Sequence, residues 1–316
     1  MKKNDLNLMS EEIESFFKPH LFIEFFYGED KMFLSEHMSL RENRQLLLEE
    51  YGVFDGCEKM AEQLTDKLNG FKEWGQIISV SFNSNWVNKI NLYSTQEVGE
   101  AAYEADNCVW NNKLRKFDEI TIDLNVNNID SGDFFPLIMH ELMHAYQDYN
   151  LRLSGSSLIN NLKRLGVNKN RTTNIDTYEE TKRKLAWVLY HLNDFERSSY
   201  ITQIDGYLVN TTKMFRNIKE VLDFMKTTTP YKNYQTIFEW IDDLCNIEDG
   251  KKMSEMLKYV EKLSNLEFLS YDKFKRWLRN KQWKYQYKFN TVLPKLAYKH
   301  LNMVEYASPT VNYLIT

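Results

Sequence analysis

The stretch 133–149, DFFPLIMHELMHAYQDY, constrains this chain more than any other part of it. It sets His140, Glu141 and His144 in the pattern H-E-x-x-H. On an α-helix, residues i and i+4 lie on one face, one turn apart. Two imidazoles at that spacing can turn one ring nitrogen each towards a single cation. Glu141, beside the first of them, reaches a water near the cation rather than the cation itself. Lewis acid, activated water and carboxylate base are the parts of metal-assisted hydrolysis. With six histidines in 316 residues, the pattern arises by accident in about one chain in a hundred, so its surroundings matter. They suit a buried helix. Asp133 or Ser131 can cap its start, and Pro136 falls in the first turn, where a missing N–H costs little. Leu137, Ile138, Leu142, Ala145 and Tyr149 supply apolar surface.

The rest of the composition narrows the class. The chain is 43% hydrophobic with only 5 prolines and 11 glycines, which favours long elements over linkers or low complexity. A net charge of −5 gives no overall pull towards nucleic acid. Cys57, Cys108 and Cys245 are far apart and odd in number, and no C-x-x-C pair occurs, so neither a disulfide framework nor a cysteine metal site is indicated. The first residues, MKKNDLNLMSEEIESFF, lack the apolar core of a signal peptide, and no run approaches the ~20 apolar residues of a membrane span. The expectation is a soluble, cytoplasmic protein.

Periodicity places the remaining elements. Residues 21–27 are a short aromatic run that period alone cannot assign, and residues 40–51 and 56–68 read as helices. In the latter, Met60, Ala61, Leu64 and Leu68 recur at helical spacing, and Asn69-Gly70 closes it. Residues 77–83 and 87–93 read as strands joined at Asn83-Ser84-Asn85. Residues 96–105 read as a helix or an ordered loop. The clearest strand is 119–126, with Ile120, Ile122 and Leu124 on one face and Thr121, Asp123 and Asn125 on the other. After residue 150 the chain turns helical: residues 178–209 as one long helix or two, then 217–226, 234–246, 251–266 and 271–281. The best boundary between the halves falls near 154–166.

This order, strands followed by a helix bearing HELMH, resembles the zincin metallopeptidases over roughly residues 55–205. The resemblance implies an α+β fold: a small mixed sheet carrying the H-E-x-x-H helix, then a mainly helical C-terminal half. It divides the chain into an N-terminal segment 1–50, a zincin-like subdomain 51–155 and a helical subdomain 156–316. It also implies that the strand before the His helix, residues 119–126, is a sheet edge pairing with substrate. The branch that continues with x-x-G-x-x-H is disfavoured, because AYQDYNLRLSG follows His144. The gluzincin branch remains, which takes a glutamate from a later helix. Glu196 suits that role: it shares a face with Leu189, Leu192, Ser199, Tyr200 and Gln203, and small Ser199 one turn on allows close approach. Its distance from His144 is longer than in thermolysin-like enzymes, and their N-E-x-x-S-D string is absent. Glu179, Glu180, His191 and Asp194 compete as ligands.

The implied activity is a zinc-dependent metallopeptidase. His140, His144 and Glu196 would hold Zn2+, Glu141 would be the general base, and a peptide or protein would be the substrate. Tyr200, His191, Tyr207 and Arg197 are candidate donors to the transition state, and Asp148 a candidate acceptor for the second N–H of His144. The other reading is a structural or binding protein that keeps the fold with its cleft unused or occupied. Residues 271–300 carry nine Lys/Arg against one acid, Asp272, with interleaved aromatics. That mixture suits single-stranded nucleic acid, an acidic partner or a membrane surface. It equally suits an amphipathic terminal helix and tail with aromatics packed inward, the reading adopted.

Overall fold

β5 (Lys116–Leu124) is the strand on which the sheet is built. The computed structural model of the protein describes residues 56–68, 71, 74–130, 132–157, 180–192, 194–264 and 268–307. Residues 21–27 and 40–51, Asn69-Gly70, Ser131 and Glu179 lie outside them. All described residues belong to one compact unit, Tyr51–Thr316.

In β5, Phe117, Ile120, Ile122 and Leu124 are fully buried while the residues between them are half-buried. Alternation at period two sends one set into the core and the other to the opposite face. β5 pairs in parallel with β2 (Val87–Ser94), where Val87, Ile90 and Leu92 face the same core. β1 (Ile77–Ser81) adds antiparallel to β2. On the far side of β5, β3 (Ala101–Tyr103) pairs antiparallel with its C-terminal end and β4 (Val109–Asn111) with its N-terminal end. The order β1-β2-β5-β3 therefore makes β5 interior, contrary to the expectation that it is the sheet edge. The stretch expected as a helix or loop holds the edge strand instead. β3 is only three residues long, and three residues show no period. Polar pairs cross the outer face of the sheet, among them Lys89–Glu119 at 2.5 Å and Asn88–Asp118 at 3.0 Å.

α1 (Cys57–Leu68) buries Cys57, Met60, Ala61, Leu64 and Leu68 in the same core. α2 (Phe134–Leu153) is buried without interruption from Phe135 to Ala145. A helix covered on every side must be sandwiched, and α2 lies between the sheet and α4 (Asp194–Asn210). Asp133 occupies the cap position of α2, but its side chain makes no cap bond; it accepts the Tyr207 hydroxyl of α4 instead, at 2.7 Å. Where α2 and α4 cross stands Gly206. A Cβ there would lie 2.8 Å from the Pro136 Cα, so only glycine permits this approach.

The stretch 178–209 is two helices, α3 (Glu180–His191) and α4. α5 (Ile218–Thr227), capped by the Asn217 side chain on the Glu220 N–H, α6 (Thr229–Cys245), α7 (Gly250–Ser264) and α8 (Tyr271–Ala307) follow. The described chain is thus α+β, with a small mixed sheet and a mostly helical second half. α8 runs 37 residues and continues through Pro294, where a shorter helix and tail were expected. Its aromatics explain the length: Phe274, Tyr285 and Phe289 are buried, and the Phe289 ring stacks 4.2 Å from Tyr234 of α6. Further along, Lys299 pairs with buried Asp205 of α4 at 3.1 Å and with Glu58 of α1 at 3.6 Å. Trp283 and Tyr287 remain on the surface. No described helix is long and apolar enough to cross a membrane.

Candidate metal centre

The middle of α2 places His140 and His144 one turn apart, and α4 brings Glu196 against them. The three side chains are buried, and one ligand atom from each lies within 4.8 Å of the others. The two Nε2 atoms are 3.1 Å apart. Glu196 Oε2 lies 3.6 Å from Nε2 of His140, and Oε1 lies 3.3 Å from Nε2 of His144.

The tautomers follow from the outer partners. The amide oxygen Oε1 of Gln203, 3.2 Å from Nδ1 of His140, can only accept, so that nitrogen carries the proton. For His144, Nδ1 lies 3.1 Å from Gln147 Oε1. The Gln147 amide group is oriented by donating to the Phe195 carbonyl at 3.2 Å, which leaves its oxygen facing the ring. Ser199 Oγ, 3.2 Å from the same nitrogen, sits where its small side chain lets α4 close on α2. Both Nε2 lone pairs therefore point inward, at each other and at a carboxylate. Such convergence is repulsive unless a cation or a shared proton sits between. A tetrahedral ion with bonds of about 2.0–2.1 Å separates its ligand atoms by about 3.4 Å. The three separations here match that spacing, and the group could hold a metal ion.

The electrostatics agree. Burial works against charge on His144, yet the facing Glu196 carboxylate leaves its pKa above the usual imidazole value. Burial also opposes charge on Glu196, but the two rings hold its carboxyl well below the usual range. The Tyr190 hydroxyl hydrogen-bonds to Glu196 as well; burial and that carboxylate keep the phenol strongly protonated. Nothing in the sequence marks Tyr190 as a partner of Glu196. One of 19 tyrosines, it is singled out only by the turn that ends α3 and swings α4 back.

Glu141 is buried beside the pair, and its Oε2 accepts the backbone N–H of Tyr103 at 2.6 Å. Asp148, a candidate acceptor for His144, does not serve it, and it is fully buried rather than a surface carboxylate. Its carboxylate accepts the Tyr103 hydroxyl at 2.8 Å and Arg152 Nε at 2.9 Å, while Nδ1 of His144 lies beside Gln147 and Ser199. Among the competing ligands, Glu180 is exposed and pairs with Lys184. The side chain of Asp194 lies outside those described. Tyr207 is spent on Asp133, and the Arg197 guanidinium lies over the Tyr285 ring.

His191 is not part of the cluster but lies near it. Its Nδ1 is 2.7 Å from the Tyr200 hydroxyl, and the two rings stack. Asn233 also bonds that hydroxyl and favours the phenolate, as a donor does. Tyr200 must then donate to Nδ1, and His191 carries its proton on Nε2. That buried nitrogen has no partner among the described residues. Burial, against the pull of Glu196, lowers the His191 pKa to about 4. A histidine depressed in the folded state stabilises less as pH falls below its unfolded value, because only the unfolded chain takes up the proton. Between pH 6.5 and about 4, His191 should cost the fold up to about 3 kcal/mol. His191→Phe should therefore flatten the acid side of the stability profile, measured by urea unfolding at pH 7 and pH 5. An unchanged slope would show that the ring is not held neutral.

Comparison of the chain with protein-family models, curated proteins and solved structures returned no match.

Proposed function

We propose that this protein is a zinc-dependent metallopeptidase. The observation that carries the reading is the inward convergence of two imidazole nitrogens and one carboxylate, buried, with Glu141 beside them but not among them. Two nitrogens and one oxygen suit zinc, and three protein ligands are the set of catalytic rather than closed structural sites. Zinc bound there would polarise a carbonyl and acidify water.

The chain's own groups supply the rest. Glu141 takes a proton from the attacking water and delivers it to the leaving nitrogen. We assign the donor for the developing oxyanion to His191, whose Nε2–H is buried without a partner among the described residues and whose ring feels the charges of Glu196 and His140. A buried donor left unsatisfied costs about 1–3 kcal/mol, so a ligand that accepts from it relieves a standing penalty. The peptide class rests on β3. On either side of it the Glu100 carbonyl and the Glu104 N–H bond to the β5 side, so the Ala101 main chain and the Tyr103 carbonyl face away from β5, while the Tyr103 N–H is taken by Glu141. An extended substrate backbone can pair with such an edge.

The test is metal analysis of the purified full chain together with digestion of a peptide library. About one zinc per chain, with cleavage stopped by a chelator and restored by zinc, is the expected result. Zinc without cleavage would favour a binding protein that retains the centre. A chain that takes up no metal would remove the reading.

A further inference from the structure

Tyr103 touches α2 at two places. Its backbone N–H reaches Glu141 Oε2 at 2.6 Å, and its hydroxyl reaches Asp148 Oδ2 at 2.8 Å. Glu141 and Asp148 are seven residues apart, two turns along one face of α2, a rise of about 10 Å. The Tyr103 side chain spans that interval, so a single residue of β3 is bound to the helix at both ends. Asp148 is fully buried and balanced by Arg152 Nε at 2.9 Å. The Arg152 guanidinium in turn rests over the Phe117 ring of β5, 5.1 Å from its centroid. Cys108 Sγ adds a contact to the Tyr103 hydroxyl at 3.3 Å.

For stability alone this arrangement is poor. A buried carboxylate and guanidinium lose hydration that their mutual attraction only roughly repays, and apolar side chains of the same volume would do as well. What apolar residues could not provide is a fixed acceptor at the depth of the Tyr103 hydroxyl. β3 needs one. Three residues at a sheet edge hold few main-chain bonds, and strand ends fray. The one outward N–H that meets Glu141 lies in this strand.

We infer that Asp148 is a positioning residue for the catalytic base: through Tyr103 it clamps β3 to α2, and the clamped strand fixes the carboxylate of Glu141. The inference rests on the metallopeptidase reading and adds to it. With Oε2 held by the Tyr103 N–H, the carboxylate cannot rotate freely. Displacement of a reacting group by about 1 Å can cost about 10²-fold in rate. A clamp of this kind therefore acts on turnover more than on substrate affinity.

Tyr103→Phe tests it in the zinc-loaded full chain, because it removes only the hydroxyl and leaves the Asp148–Arg152 pair in place. Asp148→Asn is the second variant. The expected result is unchanged zinc content and a kcat lower by about 10–100-fold, with KM within about twofold. Amide hydrogen exchange over residues 101–104 should quicken by about tenfold or more, while α2 exchange stays as in the parent. Unchanged exchange in Tyr103→Phe would overturn the clamp. Faster exchange with unchanged kcat would overturn its link to Glu141. A parent protein that cleaves no peptide would sink the metallopeptidase reading instead, and the exchange measurement would still judge the clamp.

Discussion

Glu141→Gln is expected to retain about one zinc per chain and to lose about 10²–10⁴-fold in peptide hydrolysis. The substitution is close to isosteric. The glutamine amide oxygen can still accept the Tyr103 N–H that Glu141 Oε2 accepts now. Nothing in the candidate centre changes, since the side chains that could hold the ion are those of His140, His144 and Glu196. What disappears is the ability to take a proton from water and give it to the leaving nitrogen. The buried side chain also becomes neutral, so the folded state should be no less stable. Metal analysis, a thermal melt and peptide cleavage on the same preparation separate these effects. Turnover near the parent rate would show that Glu141 is not the base.

Glu196→Ala should act at the other half of the centre. It removes the only carboxylate in the cluster and leaves two inward-facing imidazoles. Loss of a ligand should weaken zinc binding by more than the roughly 10–100-fold typical of an outer partner. Hydrolysis should fall with zinc occupancy and recover in part at high zinc. The metal-free proteins offer a second readout. Glu196 is held below its usual pKa, so its pairing stabilises the fold above the ordinary carboxylate range and is lost as pH falls through the lowered value. His144 is raised, so its share is fully present below pH 6.5 and is lost as pH rises through the raised value. The metal-free parent should gain most from this pair in the mildly acidic window between the two ordinary values. In Glu196→Ala that gain should shrink sharply, since burial then opposes charge on His144 with only the weaker pull of Glu141 and Gln147 against it. Zinc titration and melting curves from pH 4 to pH 8 would check both. Zinc affinity equal to that of the parent would exclude Glu196 as a ligand.

Some of this centre could be read directly from the chain. An i, i+4 pair shares a helical face wherever a helix forms, so the relation of His140 to His144 is local. Glu196 was legible for a related reason: Ser199 one turn on marked a helix surface able to approach another, and Gln203 on the same face does reach His140. The alternation of β5 and the spacing of α1 showed which faces would be buried. Asp148 was legible as a carboxylate near the site but not in its pairing. Its partner, Tyr103, comes from a three-residue strand 45 positions away.

By itself the sequence determined the helix that carries the two imidazoles, the glutamate between them and the acid best suited to join them. Each is a matter of spacing within a segment of regular structure. The tertiary structure decided which strand is the edge, which hydroxyl and N–H flank the acids, and which nitrogen of each ring faces inward. Those depend on contacts between segments far apart in the chain, where short polar residues carry no period and their partners are chosen only when the helices and the sheet close on one another.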